Sequence, residues 1–479
     1  MSTHLNRLQE LHAPTRSHAE VVEAGRVERS QVPRSAHADY RMGDRDPLAI
    51  LTEQNNTRVQ SLVPLRMGRM LQSPFTFYRG TAGIMAADLA RNASTDIEVI
   101  ACGDAHISNF GFFASPQRTL VFDLNDFDEA APAPWEWDLK RLIGSVVISG
   151  QQSGYSETDI RAAALGTARV YRETMAALSR ADVLKRYYAI ADVETVRNQL
   201  NAEGRKILAK ARKQAMKRTS SAFLEKVTTR AADGTRLIVE QPPVLTHLPE
   251  SGETDVEALF EQYRATVSPD VALLLSQFRL TDLVMRVVGV GSVGTRCFLL
   301  ILTGPQQEGI VLQIKEAQQS VLEGYGAIPA GPGGFGTPER HEGRRVVGNQ
   351  RILQAVSDPF LGYLRSDGPI APGGPAPTSA PHHDFYVRQF RDMKGSIDPE
   401  SLDPQSFTSY VEGCAILLAR GHAQSPDAPA IAGYLGRSDV LDRAVVEWSF
   451  GYARQSLQDF HRLRDAVAAG EVEVVDEER

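Results

Sequence analysis

Residues 284–395 differ in pattern from the sequence on either side of them. The segments VMRVVGVGSVGTRCFLLILTG, GIVLQIKEA and DFYVRQF are rich in β-branched and aromatic residues and contain glycines, which predicts strands joined by turns. The sequence before and after this region is mainly helical in pattern. Strand-rich sequence between helical stretches predicts an α+β fold with its sheet gathered in one part of the molecule.

The same changes of pattern divide the chain into four regions. Residues 1–40 are polar, charged and aperiodic, and they are predicted to form a mobile N-terminal arm. Residues 41–283 are mainly helical, residues 284–395 are strand-rich, and residues 396–479 return to helices that complete the helical part. Two stretches rich in Gly and Pro, EGYGAIPAGPGGFGTPERHEG and SDGPIAPGGPAPTSAPHH, are predicted to be flexible loops.

Acidic and amide residues cluster at the ends of two predicted strands in the helical region. IEVIAC leads into GDAHISNFG, and TLVFDLND leads into FDEA. Carboxylates gathered in one place destabilise each other unless a cation lies among them. Solvent, a salt bridge and a metal ion each meet that need, and the cluster alone does not choose among them. Its members are Asp104, His106, Asn109, Asp123, Asp126 and Asp128.

A glycine-rich turn lies between the first two strands of the strand-rich region. Gly289, Gly291 and Gly294 form Gly-x-Gly-x-x-Gly around Ser292, and such glycines let backbone N–H groups approach phosphate oxygens. A dinucleotide-binding fold needs a helix directly after the glycines, but TRCFLLIL is strand-like. The pattern therefore indicates either a plain hairpin turn or the glycine-rich hairpin that covers ATP in protein kinases. The second alternative requires a lysine on the next strand, and Lys315 in LQIKEA meets this requirement.

The acidic cluster has the composition that phosphoryl transfer requires. The reaction needs a carboxylate that accepts or orients the acceptor proton, and oxygen ligands for Mg²⁺. Asp104 precedes Asn109 by five positions, the spacing of the catalytic Asp and metal-binding Asn in kinases, and Asp126 ends the next strand. Taken singly, each residue is equally typical of a cap or turn. The predicted catalytic residues are Asp104, His106 and Asn109, and the predicted metal ligands are Asn109, Asp126, Asp123 and Asp128.

Several motifs resemble known families. GDAHISN resembles the HGDxHxxN catalytic loop of aminoglycoside phosphotransferases and related small-molecule kinases, and NDFDEA resembles their metal-binding IDFxxA segment. The family has a further Asp at the start of a helix about twelve residues later, which the resemblance assigns to Asp138 in WDLKRL. Cys102 stands where the family has His, so a different anchor for the loop is expected. From SPFTFYRG through KRLIGS to LLARGHA, the chain also resembles a widespread bacterial family known only as a domain of unknown function.

The order of these segments differs from that in kinase-like proteins, where the glycine hairpin and lysine precede the catalytic loop. Here they follow it by about 180 residues, and the apolar helix that normally leads into the loop, ending in LA-x-x-H, is matched by LLARGHA near the C-terminus. The resemblance therefore implies a two-lobed, protein-kinase-like fold that is circularly permuted, which is tolerable where termini lie close together. Two contacts are expected across the fold. Lys315 approaches Asp126, and the LLARGHA helix packs beneath IEVIACGD through Val411, Cys414, Leu417 and Leu418.

Weaker candidates surround these motifs. Three arginines of LVPLRMGRMLQSPFTFYRG are candidates for holding an anionic substrate, although a solvated or structural role is equally typical of them. Glu342 and Gln350 are alternative partners for Lys315. The three arginines are Arg66, Arg69 and Arg79.

The leading hypothesis is an ATP- and Mg²⁺-dependent phosphotransferase acting on a small-molecule or protein hydroxyl. The alternatives are AMP transfer on the same fold, metal-dependent phosphoester hydrolysis and non-catalytic nucleotide binding. A net charge of −7 argues against bulk attraction to nucleic acid, and no apolar run approaches the roughly 20 residues that span a bilayer. Three widely separated cysteines and the lack of an apolar N-terminal core predict a cytoplasmic protein.

Overall fold

The computed structural model describes most of the chain and is mixed α+β, as expected. The described residues are 16–189, 202–230, 236–242, 244–247, 256–287, 289, 291–328, 339–366 and 382–475. Residues 329–338 of the first predicted loop and 367–381 of the second lie outside these residues, as do residues 1–15 of the predicted arm. Both ends of the first stretch belong to helices instead, since Glu323 and Gly324 end one helix and Glu342 begins the next.

Residues 16–40 are not a mobile arm. They contain the first of five N-terminal helices, and that helix begins with a capping box in which Ser17 and Glu20 satisfy each other's backbone N–H groups. Gly25 allows the helix to lie directly against a C-terminal helix, because a Cβ there would be 1.9 Å from the carbonyl oxygen of Ala430. The five helices are α1 (His18–Gln31), α2 (Pro47–Asn56), α3 (Val63–Met70), α4 (Pro74–Gly80) and α5 (Ala82–Leu89).

Two short antiparallel strand pairs carry the acidic cluster. β1 (Glu98–Ala101) pairs with β4 (Ala131–Pro134), and β2 (Phe110–Ala114) pairs with β3 (Leu120–Leu124), so both predicted strands are confirmed. The pairs bring the loop after β1 and the segment after β3 to the same place. Helices follow: α6 (Trp135–Gln152), α7 (Glu157–Arg180), α8 (Val183–Tyr187), α9 (Ala202–Lys217) and α10 (Ser220–Val227).

A six-stranded antiparallel sheet contains the predicted strands of the strand-rich region. Its strands are β7 (Leu245–His247), β8 (Arg279–Arg286), β9 (Cys297–Thr303), β10 (Gly309–Ala317), β11 (Gly362–Ser366) and β12 (His383–Gln389), in the spatial order β11-β12-β10-β9-β8-β7. A separate small pair joins β5 (Thr228–Arg230) to β6 (Arg236–Ile238). The sheet begins before residue 284, where the strand-rich pattern starts. The sequence did not indicate the first half of β8 because RLTD is half-exposed and polar and lacks the apolar run of a buried strand.

Helices cover this sheet and complete the helical part. α11 (Val256–Arg264) and α12 (Pro269–Leu275) pack on one face of the sheet, where Tyr263, Phe298 and Phe385 share an apolar core. α13 (Val321–Gly324) and α14 (Glu342–Leu353) connect β10 to β11. The chain ends in α15 (Pro404–His422), α16 (Ala428–Leu435) and α17 (Val440–Ala468). Among the described residues, none of the helices combines the length and apolarity needed to cross a membrane.

The LLARGHA segment forms the end of α15, which packs beneath β1 as predicted. Just beyond the helix, the hydroxyl of Ser425 accepts a hydrogen bond of 2.9 Å from the N–H of Ile100 in β1. All members of the predicted apolar face are buried in the main core, and they are Val411, Cys414, Leu417 and Leu418.

Candidate active site

Asp138 fixes the loop that follows β1. Its carboxylate accepts backbone N–H groups from Cys102 at 2.5 Å and Gly103 at 2.9 Å, and its Oδ2 lies 3.1 Å from Nε2 of His422. Gly103 has φ of 79°, and a Cβ there would lie 2.3 Å from the carbonyl oxygen of Glu129. The loop that carries Asp104 is therefore anchored from the start of α6 and from the end of α15, with Cys102 buried beneath it.

Asp104 faces a buried arginine that sequence analysis did not identify. Oδ1 of Asp104 accepts a hydrogen bond of 2.8 Å from Nε of Arg141, which stacks at 3.9 Å on Tyr78 and donates to its carbonyl oxygen. Burial raises the pKa of Asp104, and Arg141 opposes that shift. The sequence does contain a feature that points to Arg141. This arginine lies three residues after Asp138 in α6, so the two side chains share one side of the helix, where both are buried.

His106 and Asn109 complete the loop. Nε2 of His106 is 3.6 Å from Oδ2 of Asp104, and burial lowers the pKa of His106 well below its ordinary value, which favours the neutral imidazole. The side-chain amide of Asn109 donates to the carbonyl oxygen of Asp104 at 2.7 Å. That bond uses the amide nitrogen and leaves Oδ1 of Asn109 without a hydrogen-bond partner among the described residues.

The segment after β3 meets the central strand of the sheet. Lys315 of β10 forms a close ion pair with Asp128, and its Nζ lies 4.0 Å from Oδ1 of Asp126, as expected from the sequence. The hydroxyl of Tyr386 in β12 donates to Asp128 at 2.7 Å. Burial alone lowers the pKa of Lys315, but Asp128, Tyr386 and Asp126 outweigh it and raise the pKa above its ordinary value. Oδ1 of Asp126 is buried and has no hydrogen-bond partner in the part of the chain that the structure describes.

Helix α14 holds this acidic segment in place. The guanidinium of Arg345 donates to the carbonyl oxygens of Ala130 at 2.6 Å and Asp128 at 2.8 Å. The side-chain amide of Asn349 also donates to Ala130, at 2.7 Å. The position of Asp128 relative to Lys315 therefore depends on a helix that packs on the same sheet as the lysine.

Asp123 lies apart from these carboxylates. It is 1% exposed, and its oxygens accept the backbone N–H groups of Leu124 and Ala355 at 2.9 Å each. Asp123 lies within β3, whereas Asp126 and Asp128 follow the end of the strand at Leu124, so the chain has turned between them. The structure thus brings together two of the three predicted aspartates and gives Asp123 a structural partner set.

The predicted partners of Lys315 also lie elsewhere. Glu342 pairs with Arg345 at 2.6 Å and with Arg340 at 2.5 Å. The amide nitrogen of Gln350 donates to Gln354 at 3.0 Å. The acidic partner of Lys315 is Asp128, which comes from the acidic segment and not from α14.

The glycine turn is held over the acidic cluster by arginines of the N-terminal helices. Gly289 and Gly294 have φ of 71° and 86°, a region that favours glycine. Arg69 donates to the carbonyl oxygen of Gly289 at 2.5 Å, and Arg58 donates to that of Val293 at 2.6 Å. Arg69 therefore has a structural contact with the turn that the sequence did not predict.

One cleft joins these features. A large cavity of about 710 Å³ extends from Lys315 to the segment 389–395, and a pocket of about 130 Å³ extends from the glycine turn to Asp104 and His106. Gly291 and Ser292 of the turn line the smaller pocket. The residues that line both spaces are Arg79, Asn109, Asp126, Gly289 and Ser292.

The large cavity has a basic wall. The charge of Arg388 is the main cause, and burial the second, that lowers the pKa of Lys394 to about 7. Burial lowers the pKa of Arg286 to about 10. Cations that depress each other's pKa values gain from a bound anion, since its charge relieves their repulsion. Among the described residues, no group of three or more His, Cys, Asp and Glu side chains is arranged to hold a metal ion.

Comparison with known proteins places the chain in one family. A family model described as "Uncharacterized protein conserved in bacteria (DUF2252)" matches residues 58–466. The chain belongs to the DUF2252 family. The match runs from Arg58 past the end of α15, so it includes every residue of the cleft named above. No curated protein and no solved structure matches this DUF2252 chain.

Proposed function

We propose that this DUF2252 protein is an ATP- and Mg²⁺-dependent phosphotransferase with a two-lobed, kinase-like arrangement in circularly permuted order. One observation carries the proposal. Lys315, from the sheet, forms an ion pair with Asp128 and approaches Asp126, although about 190 residues separate them, and the glycine turn lines the same cleft as Asp104. Phosphoryl transfer depends mainly on positioning and electrostatic stabilisation, which such a cleft supplies.

The residues present fit a magnesium ion that arrives with phosphate groups. Mg²⁺ is typically held by one or two carboxylates together with substrate phosphates, not by a cage made only of protein ligands. The buried Oδ1 of Asp126 and the side-chain Oδ1 of Asn109 are oxygen donors of this kind. A bound Mg²⁺ would neutralise charge on the phosphates, and these two residues would hold it.

The other residues have roles that follow from their contacts. Lys315 would contact the phosphates of ATP, with Asp128 and Tyr386 fixing its position in the free protein. Asp104, oriented by Arg141, would accept the proton of the acceptor hydroxyl. The oxygen of that hydroxyl would bond to the γ-phosphorus of ATP while the bond from this phosphorus to ADP breaks. Gly289, Gly291, Ser292 and Gly294 would cover the phosphates.

Metal-dependent hydrolysis without a nucleotide is the weaker alternative, since the described residues lack a three-ligand cluster and since it assigns no role to Lys315. A non-catalytic nucleotide-binding protein has no need of the Asp104–Arg141 pair. AMP transfer uses the same cleft and differs only in which phosphorus is attacked.

The test combines binding with product analysis. Calorimetric titration of the full-length protein with ATP and Mg²⁺ should give saturable binding, which Lys315→Met weakens. Incubation with γ-labelled and with α-labelled ATP then separates phosphoryl transfer from AMP transfer. Absence of ATP binding, or hydrolysis of a phosphoester at the same rate without ATP, contradicts the proposal.

A further inference from the structure

Three arginines converge on the smaller pocket from the N-terminal helices. Arg58, Arg66 and Arg79 line it together with five carboxylates, those of Asp104, Asp126, Asp128, Glu129 and Glu316. Arg66 is 1% exposed, and burial together with the neighbouring Arg58 lowers its pKa well below the ordinary value. Asp104 and Asp126 offset part of the charge of Arg79, and Glu129, Glu316 and Asp128 offset part of the charge of Arg58. The main influences on Arg66 are instead burial and the like charge of Arg58, which a bound anion would relieve.

The hydrogen bonds of these arginines leave them unsatisfied. Arg58 donates to the carbonyl oxygen of Val293, and Arg66 donates to the side-chain oxygens of Asn55 at 2.6 Å and Gln54 at 3.3 Å. Within the described part of the chain, Arg79 makes no side-chain hydrogen bond, none of the three pairs with a carboxylate, and all three Nε atoms are buried without a partner. A buried unpaired charge is costly, so this arrangement is typical of a site for an anionic ligand.

The pocket adjoins the large cavity where Lys315 lies, and each space has lining residues of its own. Lys315, Arg388 and Lys394 line the large cavity, whereas Arg58 and Arg66 line only the smaller pocket. Arg79 borders both spaces, beside Asp126. Asp104 lines the same pocket as the three arginines, so an anion that they hold shares that pocket with the carboxylate.

We propose that Arg58, Arg66 and Arg79 form a second anion site that binds a phosphate group of the acceptor. The acceptor is then a phosphorylated small molecule with a free hydroxyl, whose phosphate is gripped by the arginines while the hydroxyl faces Asp104. The assignment to an acceptor rests on the proposed phosphotransferase function, but the anion site itself does not. Arginine suits this task because its planar guanidinium matches phosphate oxygens in pairs.

The experiment titrates inorganic phosphate into the full-length protein by calorimetry, alone and with saturating Mg²⁺ and a non-hydrolysable ATP analogue. Phosphate should bind in both conditions. Arg79→Gln should weaken binding about tenfold or more, as loss of a charge-assisted contact predicts. Arg79→Lys should retain a larger share of the affinity, and Arg161→Gln, which changes an arginine that lines neither space, is the matched control that should bind phosphate like the wild type. Lys315→Met is measured alongside to detect phosphate bound in the large cavity. Arg79 has no hydrogen bond to lose among the described residues, so its variants should fold, and thermal melting checks this.

Unchanged phosphate affinity in Arg79→Gln overturns the anion site. Loss of binding in Lys315→Met with retention in Arg79→Gln also overturns it, because phosphate then occupies the large cavity. Displacement of phosphate by the ATP analogue overturns the assignment to an acceptor, since the arginines then hold the phosphates of the nucleotide. If the analogue does not bind but phosphate binding still depends on Arg79, the phosphotransferase proposal fails while the anion site stands.

Discussion

The ion pair between Lys315 and Asp128 joins the sheet to the acidic segment, and its energy can be measured with a double-mutant cycle. Lys315→Met keeps an apolar chain of similar length in a site that is 3% exposed and removes the charge. Asp128 then remains in a site where its side chain is 24% exposed, with only the hydroxyl of Tyr386 as a partner among the described residues. Removal of one member of a buried pair costs about 3–5 kcal/mol, and the partial exposure of Asp128 favours the lower end, about 3 kcal/mol.

The double variant should be less destabilised than the sum of the single variants. The side-chain amide introduced by Asp128→Asn can still accept the hydrogen bond from Tyr386, and Lys315→Met in the same chain leaves no uncompensated charge. The coupling energy expected from the cycle is about 2 kcal/mol, which exceeds the usual additivity error of about 0.3–0.5 kcal/mol. Chemical denaturation followed by far-ultraviolet circular dichroism measures each corner of the cycle, with coincident fluorescence transitions as the test of two-state behaviour.

The pH dependence of the coupling has a defined sign. The lowered pKa of Asp128 means that its contribution is present above the ordinary carboxyl pKa and is lost as pH falls through the folded value. The raised pKa of Lys315 means that its contribution is complete below the ordinary lysine pKa and is lost as pH rises through the folded value. The coupling should therefore be constant between about pH 5 and pH 9. Additive single costs, or a coupling that changes within this window, would refute the assignment.

Four further predictions concern the cleft. Asp104→Asn should lower turnover by about 10²–10⁴ in a labelled-phosphate assay while ATP binding by calorimetry is unchanged; equal turnover contradicts the role. Asp126→Ala should abolish the Mg²⁺ dependence of ATP binding, whereas Asp123→Ala should lower the melting temperature and keep that dependence. Arg141→Lys should move the acidic limb of the pH–rate profile upward, because Arg141 opposes the raised pKa of Asp104; an unmoved limb excludes this positioning role. Asp358 lines the large cavity and accepts backbone N–H groups from Phe360 and Gln389, and burial raises its pKa to about 6. The stability of the wild type relative to Asp358→Asn should therefore fall by about 3 kcal/mol from pH 3 to pH 7 and then level off; a flat difference in denaturant titrations contradicts it.

Local pattern identified the elements that carry the site. The strand IEVIAC, the helix beginning WEWDL and the apolar face of α15 each have a periodicity that the structure keeps. The position of Lys315 followed from the same reasoning, because a lysine that follows Leu312 and Ile314 lies in a strand that is buried on both faces.

Partner choice within the cleft could not be predicted in the same way. Three aspartates, Asp123, Asp126 and Asp128, lie within six positions of each other and could each pair with Lys315. The pairing with Asp128 depends on where β3 ends and on the contact of the following segment with α14.

The ordered helix α1 was missed because its stability, too, depends on contacts made far along the chain. Its stability comes from close packing on α16 at Gly25, which composition does not reveal.

Backbone hydrogen bonds join the two sides of this cleft, which are the six-stranded sheet and the loops that carry Asp104 and Asp126. The chain leaves β12 through residues 390–395 and pairs there with β2, where the N–H of Phe112 donates to the carbonyl oxygen of Gly395 at 2.7 Å, and the N–H of Gly395 donates in return to the carbonyl oxygen of Phe112 at 3.0 Å. β2 begins directly after Asn109, and β12 carries Tyr386, so these backbone bonds connect the loop that carries Asp104 and Asn109 to the strand beside Lys315. In the permuted order proposed above, the link missing from the chain is the one from α15 to the loop after β1, and the hydrogen bond from the N–H of Ile100 to Ser425 lies at that place. A permuted order can therefore preserve the geometry on which the proposed phosphotransferase activity depends.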